Sequence, residues 1–214
     1  MGDRGKYIVI EGHDGVGKST QVERLAARLA TAGIESFVAH EPAGTPTADA
    51  IREVIKNGTL ERDPLTNVLL FTASRREIWL EARKKLARGA WVLSARNYLS
   101  TEAYQGHGEG VSLTTIRELT RSYVGEDYFT PDHTFILTMN DADSRARRIT
   151  QRGNLSTPDT FEMRDESYQE TVHGAYLQIA RDHNITPIDA TQSIDTIQDY
   201  IQAEIGTLLP DTTK

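Results

Sequence analysis

The spacing of apolar residues predicts short strands and longer helices that alternate along the whole chain. Short runs of mainly apolar residues indicate strands at residues 7–10, 34–39, 91–95, 133–138 and 185–189. The first run is rich in β-branched residues and is typical of a buried parallel strand. Between these runs, helices are predicted over residues 22–29, 46–55, 64–88, 113–123 and 194–205. Strands that alternate with helices predict an α/β fold, a three-layer sandwich built around a five-stranded parallel sheet.

Two segments interrupt this regular alternation. Residues 96–110 contain glycines at 106, 108 and 110, so we expect this stretch to be irregular or partly helical, and mobile. Asn140 or Asp141 is placed to cap a helix that carries a cluster of arginines, and residues 153–158 break that helix as a mobile flap would. We therefore expect a lid at about residues 145–162, with a helix from about residue 161 to about residue 183.

Composition narrows the class of protein without changing the predicted fold. A chain of 214 residues is long enough for one domain, residues 1–214, with a three-layer core. The formal net charge of −7 argues against a broad nucleic-acid surface, and the lack of cysteine excludes disulfides and thiolate metal sites. No apolar run approaches the roughly 20 residues that span a bilayer, and the N-terminus enters the first strand too quickly for a signal peptide. We expect a cytoplasmic protein that binds neither nucleic acid nor membrane.

A glycine-rich stretch joins the first strand to the first helix. It reads Gly12-His13-Asp14-Gly15-Val16-Gly17-Lys18-Ser19, followed by Thr20, and fits a glycine, four free positions and Gly-Lys-Ser. Glycines let the backbone amides turn inward, and the helix N-terminus adds partial positive charge, so the turn binds an anion. Lys18 can reach the β- and γ-phosphates, and the Ser19 hydroxyl can ligate Mg²⁺. The order strand, turn and helix favours a nucleoside triphosphate site over a glycine turn that only caps a helix.

The rest of the chain narrows the reaction. The guanine-reading pattern Asn-Lys-x-Asp of GTPases is absent. The third and fourth strands end in Ser94-Ala95 and Thr138-Met139, without the Asp-Glu pair that hydrolytic ATPases use to hold Mg²⁺ and position water. Small size and an arginine-rich segment after the fourth strand instead predict phosphoryl transfer under a closing lid, which excludes water.

Five blocks of sequence, in order and spread over nearly the whole chain, resemble the thymidylate kinases. They begin with the phosphate loop at residues 10–21 and continue at 41–46, 70–75, 100–106 and 188–194. Gly15 in the loop, with arginines in the lid, resembles the bacterial type of that family. The resemblance implies a P-loop NTPase-type fold, transfer of the γ-phosphate of ATP to dTMP with Mg²⁺ as cofactor, and a homodimer.

The resemblance also implies a role for each acceptor-side residue. Phe71 would stack on the thymine ring, Arg75 would donate to a thymine carbonyl, and Tyr104 would press against the deoxyribose. Each side chain could instead have no role in binding: Phe71 as a core aromatic, Arg75 as a solvated arginine on a helix, and Tyr104 as a buried packing residue. Thr101 would face the pyrimidine edge, with Gln105 beside it. Asp14 would address the sugar or phosphate end of the acceptor, and Arg96 would hold its 5′-phosphate. Glu41 would orient this region, and Pro42 would shape the loop.

On the donor side, the resemblance places Arg148 over the adenine and Arg152 at the phosphates. Ala190 and Gln192 would line the adenine, mainly through their backbone. With Lys18 and Arg96, the two lid arginines complete the implied catalytic set. Arg145 and Arg147 have no counterpart in the family, so we expect them to be solvated.

Two positions depart from the family pattern. The third strand ends Ala95-Arg96-Asn97 where the family has Asp-Arg-Tyr or Asp-Arg-His, and Thr160 stands where a lid arginine is usual. Ser94 or Asn97 would have to compensate for the first change, and Arg164 for the second. Three interpretations therefore stay open: a working dTMP kinase, a kinase-like protein with weak or altered nucleotide specificity, and a deoxynucleoside kinase with Glu41 as its base.

Overall fold

The computed structural model describes residues 4–141, 144–145, 147–148, 160–161 and 164–209. Five parallel strands form one sheet in the order β2-β3-β1-β4-β5. The strands are β1 (Tyr7–Gly12), β2 (Ser36–His40), β3 (Trp91–Ala95), β4 (His133–Thr138) and β5 (Ile188–Asp189). Helices flank the sheet, which confirms the predicted α/β sandwich.

Most of the helices begin at residues suited to capping. They are α1 (Lys18–Thr31), α2 (Pro46–Lys56), α3 (Pro64–Leu86), α4 (Tyr98–Thr101), α5 (Leu113–Tyr123), α6 (Glu166–Asp182) and α7 (Ile194–Ile205). The side chains of Thr45 and Asp63 each accept a backbone N–H at the start of a helix whose first residue is proline. Within the described residues, none of these helices combines the length and apolarity that a membrane span requires.

Alternate residues of β1 enter opposite halves of the core. Tyr7 and Val9 pack with side chains of α3 and α6, whereas Ile8 and Ile10 pack with side chains of α1 and α7. All six residues of β1 are buried, as expected of a central parallel strand covered on both faces. The phosphate loop therefore leaves the sheet at its centre, between β3 and β4.

The segment expected to be irregular and mobile is largely helical. A π-helix, Glu102–Gly108, continues α4 directly, and its first five residues are buried. Its glycines permit close packing: a Cβ on Gly106 would lie 2.4 Å from Leu113 Cδ2, and one on Gly108 would lie 2.6 Å from the Tyr168 ring. The prediction of a partly helical segment is therefore confirmed, close packing accounts for two of its three glycines, and its mobility stays a prediction.

One helix and one strand also begin later in the structure than the sequence predicts. The helix expected from about residue 161 begins only at Glu166, because Asp165 caps it by accepting the Tyr168 N–H at 2.8 Å. The last strand pairs over Ile188–Asp189 alone, shorter than the predicted 185–189. Pro187 lacks an N–H for the ladder, which accounts for the late start of pairing.

Two glycine-to-alanine changes are expected to shift stability in opposite directions. Gly5→Ala would place its Cβ 1.8 Å from the Ala90 carbonyl oxygen, a backbone atom that cannot move aside. We expect a loss of about 1–3 kcal/mol in the free energy of unfolding. Gly174 lies exposed within α6 and a Cβ there meets nothing within 4 Å, so Gly174→Ala should add about 0.5–1 kcal/mol. Urea unfolding measures both, and a stable Gly5→Ala protein would contradict the packing described here.

Candidate functional site

A cleft of about 260 Å³ opens where β1, β2 and β3 end. It gathers residues that lie far apart in sequence, from the phosphate loop, from the Glu41–Pro42 turn, from α3 and from the α4–π-helix segment. The predicted residues that line it are Asp14, Lys18, Ser19, Glu41, Pro42, Phe71, Arg75, Arg96, Thr101, Tyr104 and Gln105. All of the predicted acceptor residues therefore share this one cleft.

The phosphate loop has the backbone that its glycines allow. Gly12, Gly15 and Gly17 have positive φ angles of 139°, 85° and 94°. A Cβ on Gly12 would lie 2.2 Å from the Leu137 carbonyl oxygen, so only glycine fits where β1 passes β4. Lys18 Nζ donates to the His13 carbonyl at 2.7 Å, and Ser19 is exposed on the first turn of α1. The remaining loop residues, His13, Val16 and Thr20, do not line the cleft.

His13 occupies an unusual environment for a loop side chain. It is 1% exposed and stacks on Tyr104 with ring centroids 5.9 Å apart. Burial lowers the pKa of His13 to about 4, and the nearby charges of Arg145 and Lys18 act in the same direction. The imidazole is therefore neutral at neutral pH, and it packs behind the loop.

Asp14 and Arg96 form an ion pair at the mouth of the phosphate loop. Tyr104 adds a hydrogen bond from its hydroxyl to Asp14 Oδ2 at 2.7 Å. Burial opposes ionisation of Asp14, but the charges of Arg96 and Lys18 outweigh it and hold the pKa of this carboxyl well below its usual range. Arg96 also has a positive φ of 81°, which is uncommon for a bulky residue and brings its guanidinium back over the loop.

A second carboxylate, Glu11, secures the segment that carries Arg96. It is fully buried and accepts the backbone N–H groups of Asn97 at 2.6 Å and Ser100 at 3.1 Å. The hydroxyls of Ser100 and Tyr176 donate to its other oxygen at 2.7 and 3.0 Å. Sequence reasoning did not assign this residue a role, although an acidic residue within an otherwise apolar strand was a usable signal.

Arg75 is buried at the base of the cleft, which rules out the solvated alternative. Its Nε donates to Glu41 Oε2 at 2.9 Å, and its Nη2 donates to the Asn97 carbonyl at 3.2 Å and to Thr101 Oγ1 at 3.0 Å. Its Nη1 is buried and has no hydrogen-bond partner among the described residues. A buried donor without a partner is costly, so a ligand acceptor that reached this atom would gain a hydrogen bond, and Arg75 itself lines the cleft.

Aromatic side chains form one wall of the cleft. Phe71 is half-buried and packs against Phe161 with ring centroids 5.9 Å apart, and Tyr104 meets Phe161 edge-on at 6.1 Å. Gln105 lies beside them with its Nε2 buried and unpartnered within the described residues. These rings therefore offer apolar surface in the same cleft that Arg75 lines.

The residues implied on the donor side are only partly described. Arg148 Nη1 donates to the Ala190 carbonyl at 3.0 Å, so these two predicted residues meet, and Gln192 is exposed nearby in the chain. Arg152 lies outside the described residues. Arg147 is exposed as expected, but Arg145 is only 9% exposed, so the expectation of a solvated side chain is wrong there.

The residues expected to compensate for Ala95 and Thr160 already bond to other groups of the protein. Ala95 lines the cleft, while Ser94 Oγ donates to the Arg96 carbonyl at 2.7 Å and Asn97 Oδ1 accepts the Leu99 N–H at 2.9 Å. Thr160 Oγ1 donates to the Ile55 carbonyl at 3.0 Å. Arg164 pairs with Glu109 at 2.7 Å, away from the cleft lining.

Metal ligands in the cleft are few. No group of three or more His, Cys, Asp or Glu residues could hold a metal ion in the described part of the chain. Asp14 is already bound by Arg96 and Tyr104, which leaves the Ser19 hydroxyl as an available oxygen at the phosphate loop. This donor set fits a magnesium ion that is held mainly by nucleotide phosphates and water.

Arg52 is a candidate that sequence reasoning missed. It lies on α2 and lines the cleft together with Lys56, one helical turn further on. Among the described residues its ion pair is with Glu53, at 3.8 Å, and it keeps 35% of its side chain exposed. Cations four residues apart after the Glu41–Pro42 turn were the available signal, since i and i+4 share one helix face.

Comparisons with known proteins agree with this arrangement. A family model described as thymidylate kinase matches residues 10–201. The thymidylate kinase of Pseudomonas fluorescens is 40% identical over 209 residues, covering 96% of this chain and 97% of that protein. The thymidylate kinase of Exiguobacterium sibiricum is 34% identical over 209 residues and 96% of each chain. The crystal structure of thymidylate kinase from Ehrlichia chaffeensis has a TM-score of 0.73 at 24% identity, covering 95% of this chain and 99% of that one, and supports the fold.

The Asp14–Arg96 pair predicts a pH-dependent stability. The pKa of Asp14 in the folded protein lies below its ordinary value of 3.8, so the pair stabilises the fold above that pH and its contribution is lost as the pH falls. Asp14→Asn should cost on the order of 2 kcal/mol at pH 7, about 4–8 °C in Tm, and less at pH 3. Thermal melts at both pH values measure this, with the exposed Asp199→Asn as control. An equal loss at both pH values would contradict the ion-pair account.

Proposed function

The chain belongs to the thymidylate kinase family, and we propose that it transfers the γ-phosphate of ATP to dTMP through the cleft described above. Membership makes it a nucleotide-binding phosphotransferase with a place in nucleotide biosynthesis. The observation that carries the residue-level proposal is that one cleft gathers the phosphate loop, the aromatic wall and Arg75, whose buried Nη1 has no hydrogen-bond partner among the described residues.

The base of the acceptor fits this end of the cleft. Phe71 supplies a ring face for stacking on thymine, and Arg75 Nη1 supplies a donor for a thymine carbonyl. Thr101 holds the guanidinium by accepting from its Nη2, and Gln105 offers a further free amide at the base edge. Tyr104, fixed by its bond to Asp14, stands where the sugar would pass toward the phosphate loop.

Arginines at the middle of the cleft suit the acceptor's phosphate. We assign this phosphate to Arg96 and Arg52, because a guanidinium can bind two phosphate oxygens at once. Arg96 shares its charge with Asp14, whereas within the described residues Arg52 pairs with Glu53 at the longer distance of 3.8 Å. The phosphate of the acceptor would therefore lie between the base pocket and the loop that holds the triphosphate.

On the donor side, the phosphate loop would wrap the triphosphate with its inward amides. Lys18 would contact the β- and γ-phosphates, and the Ser19 hydroxyl would ligate Mg²⁺, which neutralises charge on the phosphates when bound. Arg148, already in contact with the Ala190 backbone, would cover the adenine together with the chain near Gln192. We assign Arg152 to the transferring phosphate on the family resemblance alone.

The chemistry requires position and charge but no general base. A phosphate monoester is largely dianionic at neutral pH, so an oxygen of dTMP attacks the γ-phosphorus while the bond to the β–γ bridging oxygen breaks and ADP leaves. A nucleoside hydroxyl would instead need a base to remove its proton. Both oxygens of Glu41 are occupied, by Tyr128 and Arg75, which favours the monophosphate as acceptor over a nucleoside.

We extend the family resemblance to the assembly and location as proposals. These are a single domain over residues 1–214 with a lid at about 145–162, a homodimer, and a cytoplasmic protein without nucleic-acid or membrane partners. Leu65 and Leu69, one turn apart on α3, are 41% and 47% exposed, as a helix that packs against a second copy would require.

Turnover with dTMP tests the proposed reaction directly. With ATP and Mg²⁺ in a coupled assay, we expect dTMP to be phosphorylated in preference to other nucleoside monophosphates, because of Phe71 and the Arg75 donor. Thymidine serves as the matched control, since it differs only by the phosphate that Arg52 and Arg96 would bind. Phosphorylation of thymidine but not of dTMP would establish a nucleoside kinase instead. Tight nucleotide binding without turnover of any acceptor would establish a kinase-like binding protein.

The change at Ala95 predicts an unusual dependence on magnesium. Ala95→Asp places a carboxylate in the cleft where the family pattern has one, and it can orient water around a phosphate-bound ion. We expect the Mg²⁺ concentration for half-maximal activity to fall about tenfold, with unchanged KM for dTMP. Ala95→Asn, which has the same size without the charge, is the control. If Ala95→Asp, Ala95→Asn and the unchanged protein all show the same magnesium dependence, other groups already organise the Mg²⁺ ion.

A further inference from the structure

Tyr128 lies behind the acceptor cleft and does not line it. It belongs to the 3-10 turn Glu126–Phe129, and only 1% of it is exposed. Its hydroxyl donates to Glu41 Oε1 at 2.7 Å, which is its only hydrogen bond to a carboxylate in the described part of the chain. The ring packs edge-on against Trp79, with centroids 5.2 Å apart. Ring and hydroxyl therefore have separate partners.

Glu41 passes this contact on to the arginine of the base pocket. One of its oxygens accepts from Tyr128 and the other from Arg75 Nε, at 2.9 Å. The guanidinium carbon of Arg75 also lies 5.7 Å from the centroid of the Tyr128 ring. Tyr128 thus contacts both members of the ion pair, one through its hydroxyl and the other through its ring face.

The direction of the free Arg75 donor depends on these contacts. A guanidinium is planar, so fixing its Nε on Glu41 and its Nη2 on Thr101 also fixes where Nη1 points. If Glu41 Oε1 lost its donor, a buried carboxylate oxygen would be left unpartnered, and the carboxylate would be free to turn. The donor offered to the acceptor base would then lose its orientation.

We propose that Tyr128 is a positioning residue for recognition of the acceptor base, acting through Glu41 on Arg75. This inference rests on the proposed function, because it assumes that a nucleobase carbonyl meets Arg75 Nη1. The hydroxyl of Tyr128 is assigned to recognition, and its ring to packing against Trp79. Tyr128→Phe separates the two roles, since it removes the hydroxyl and keeps the ring.

The proposal carries a pH signature. Burial raises the pKa of Glu41, and the charge of Arg75 with the hydrogen bond from Tyr128 partly offsets that rise. Arg75 faces Glu41 from α3, Tyr128 from the 3-10 turn, and Glu11 from β1 adds a like charge. Loss of the hydroxyl should therefore raise the pKa of Glu41 further. Because Arg75 needs the ionised partner, acceptor affinity should begin to fail at a higher pH than in the unchanged protein.

The experiment compares Tyr128→Phe with Tyr98→Phe. Tyr98 belongs to the same aromatic cluster, with its ring 6.4 Å from that of Tyr128, but its hydroxyl makes no hydrogen bond within the described residues. We expect Tyr128→Phe to weaken dTMP binding about tenfold by calorimetry, which corresponds to about 1.4 kcal/mol. KM for ATP should not change. The acid limb of dTMP binding, meaning the pH range in which affinity falls as the solution is acidified, should move to higher pH. Tyr98→Phe should leave all of these values unchanged.

Several outcomes would overturn the proposal. Equal dTMP affinity and an equal acid limb in Tyr128→Phe and the unchanged protein would remove the role of the hydroxyl. A parallel loss of ATP and dTMP affinity with a lowered Tm would reduce Tyr128 to a structural residue. If Tyr128→Phe fails to fold, site-specific 3-fluorotyrosine at position 128 keeps the ring and strengthens the donor, and the acid limb must then move to lower pH. Failure of the unchanged protein to bind dTMP would overturn the proposed function as well, which separates the two failures.

Discussion

The site depends on keeping Asp14 ionised beside a loop that binds phosphate. A carboxylate so close to a triphosphate repels the ligand unless its charge is balanced within the protein. Arg96 balances it, and reaches back to do so through a backbone conformation with φ of 81°. Hydrogen bonds from the Arg96 N–H to the Ile10 carbonyl, at 3.1 Å, and from Ser94 Oγ to the Arg96 carbonyl hold this backbone in place. The strained residue is thus tied to both central strands.

The same solution recurs for the other buried carboxylates of the cleft. Glu41 is shared between Arg75 and Tyr128, and Glu11 accepts from backbone N–H groups and hydroxyls, with no ion pair among the described residues. Each carboxylate therefore has its partners before any nucleotide arrives, whereas the buried Arg75 Nη1 has no hydrogen-bond partner among the described residues. Because the protein's own charges are satisfied internally, the ligand does not have to displace an existing interaction to bind there.

The sequence predicted most of this arrangement because short-range rules determine it. Period-two and period-3.6 apolar patterns located the strands and most helices, and the spacing of glycines located the phosphate loop. Contacts that depend on close packing were out of reach: Gly106 and Gly108 look like flexible positions until Leu113 and Tyr168 are placed against them. Arg145 likewise cannot be separated from the exposed Arg147 without knowing which of the two side chains the fold buries.

Residues that act through others were also invisible to sequence reasoning. Tyr128 sits in a short 3-10 turn with no motif, and its importance arises only because the fold brings it 2.7 Å from Glu41. Arg52 could have been found from its spacing to Lys56, yet nothing in one sequence shows that this face of α2 closes the cleft. Functional residues with a motif were predictable, whereas those defined by long-range contact were not.

The family resemblance assigns the two departures, Ala95 and Thr160, to the metal site and the lid. Thr160 bonds the end of α2 through Ile55, and Arg164 is committed to Glu109, so neither supplies a cation to the cleft. By contrast, the residues that we propose for the acceptor, Phe71, Arg75 and Arg96, all line the cleft. An acceptor that is already an anion needs no base, so the reaction makes its remaining demand on charge at the transferring phosphoryl group. Any loss of rate relative to other members of the family should therefore arise in the chemical step, and binding of the acceptor should be preserved.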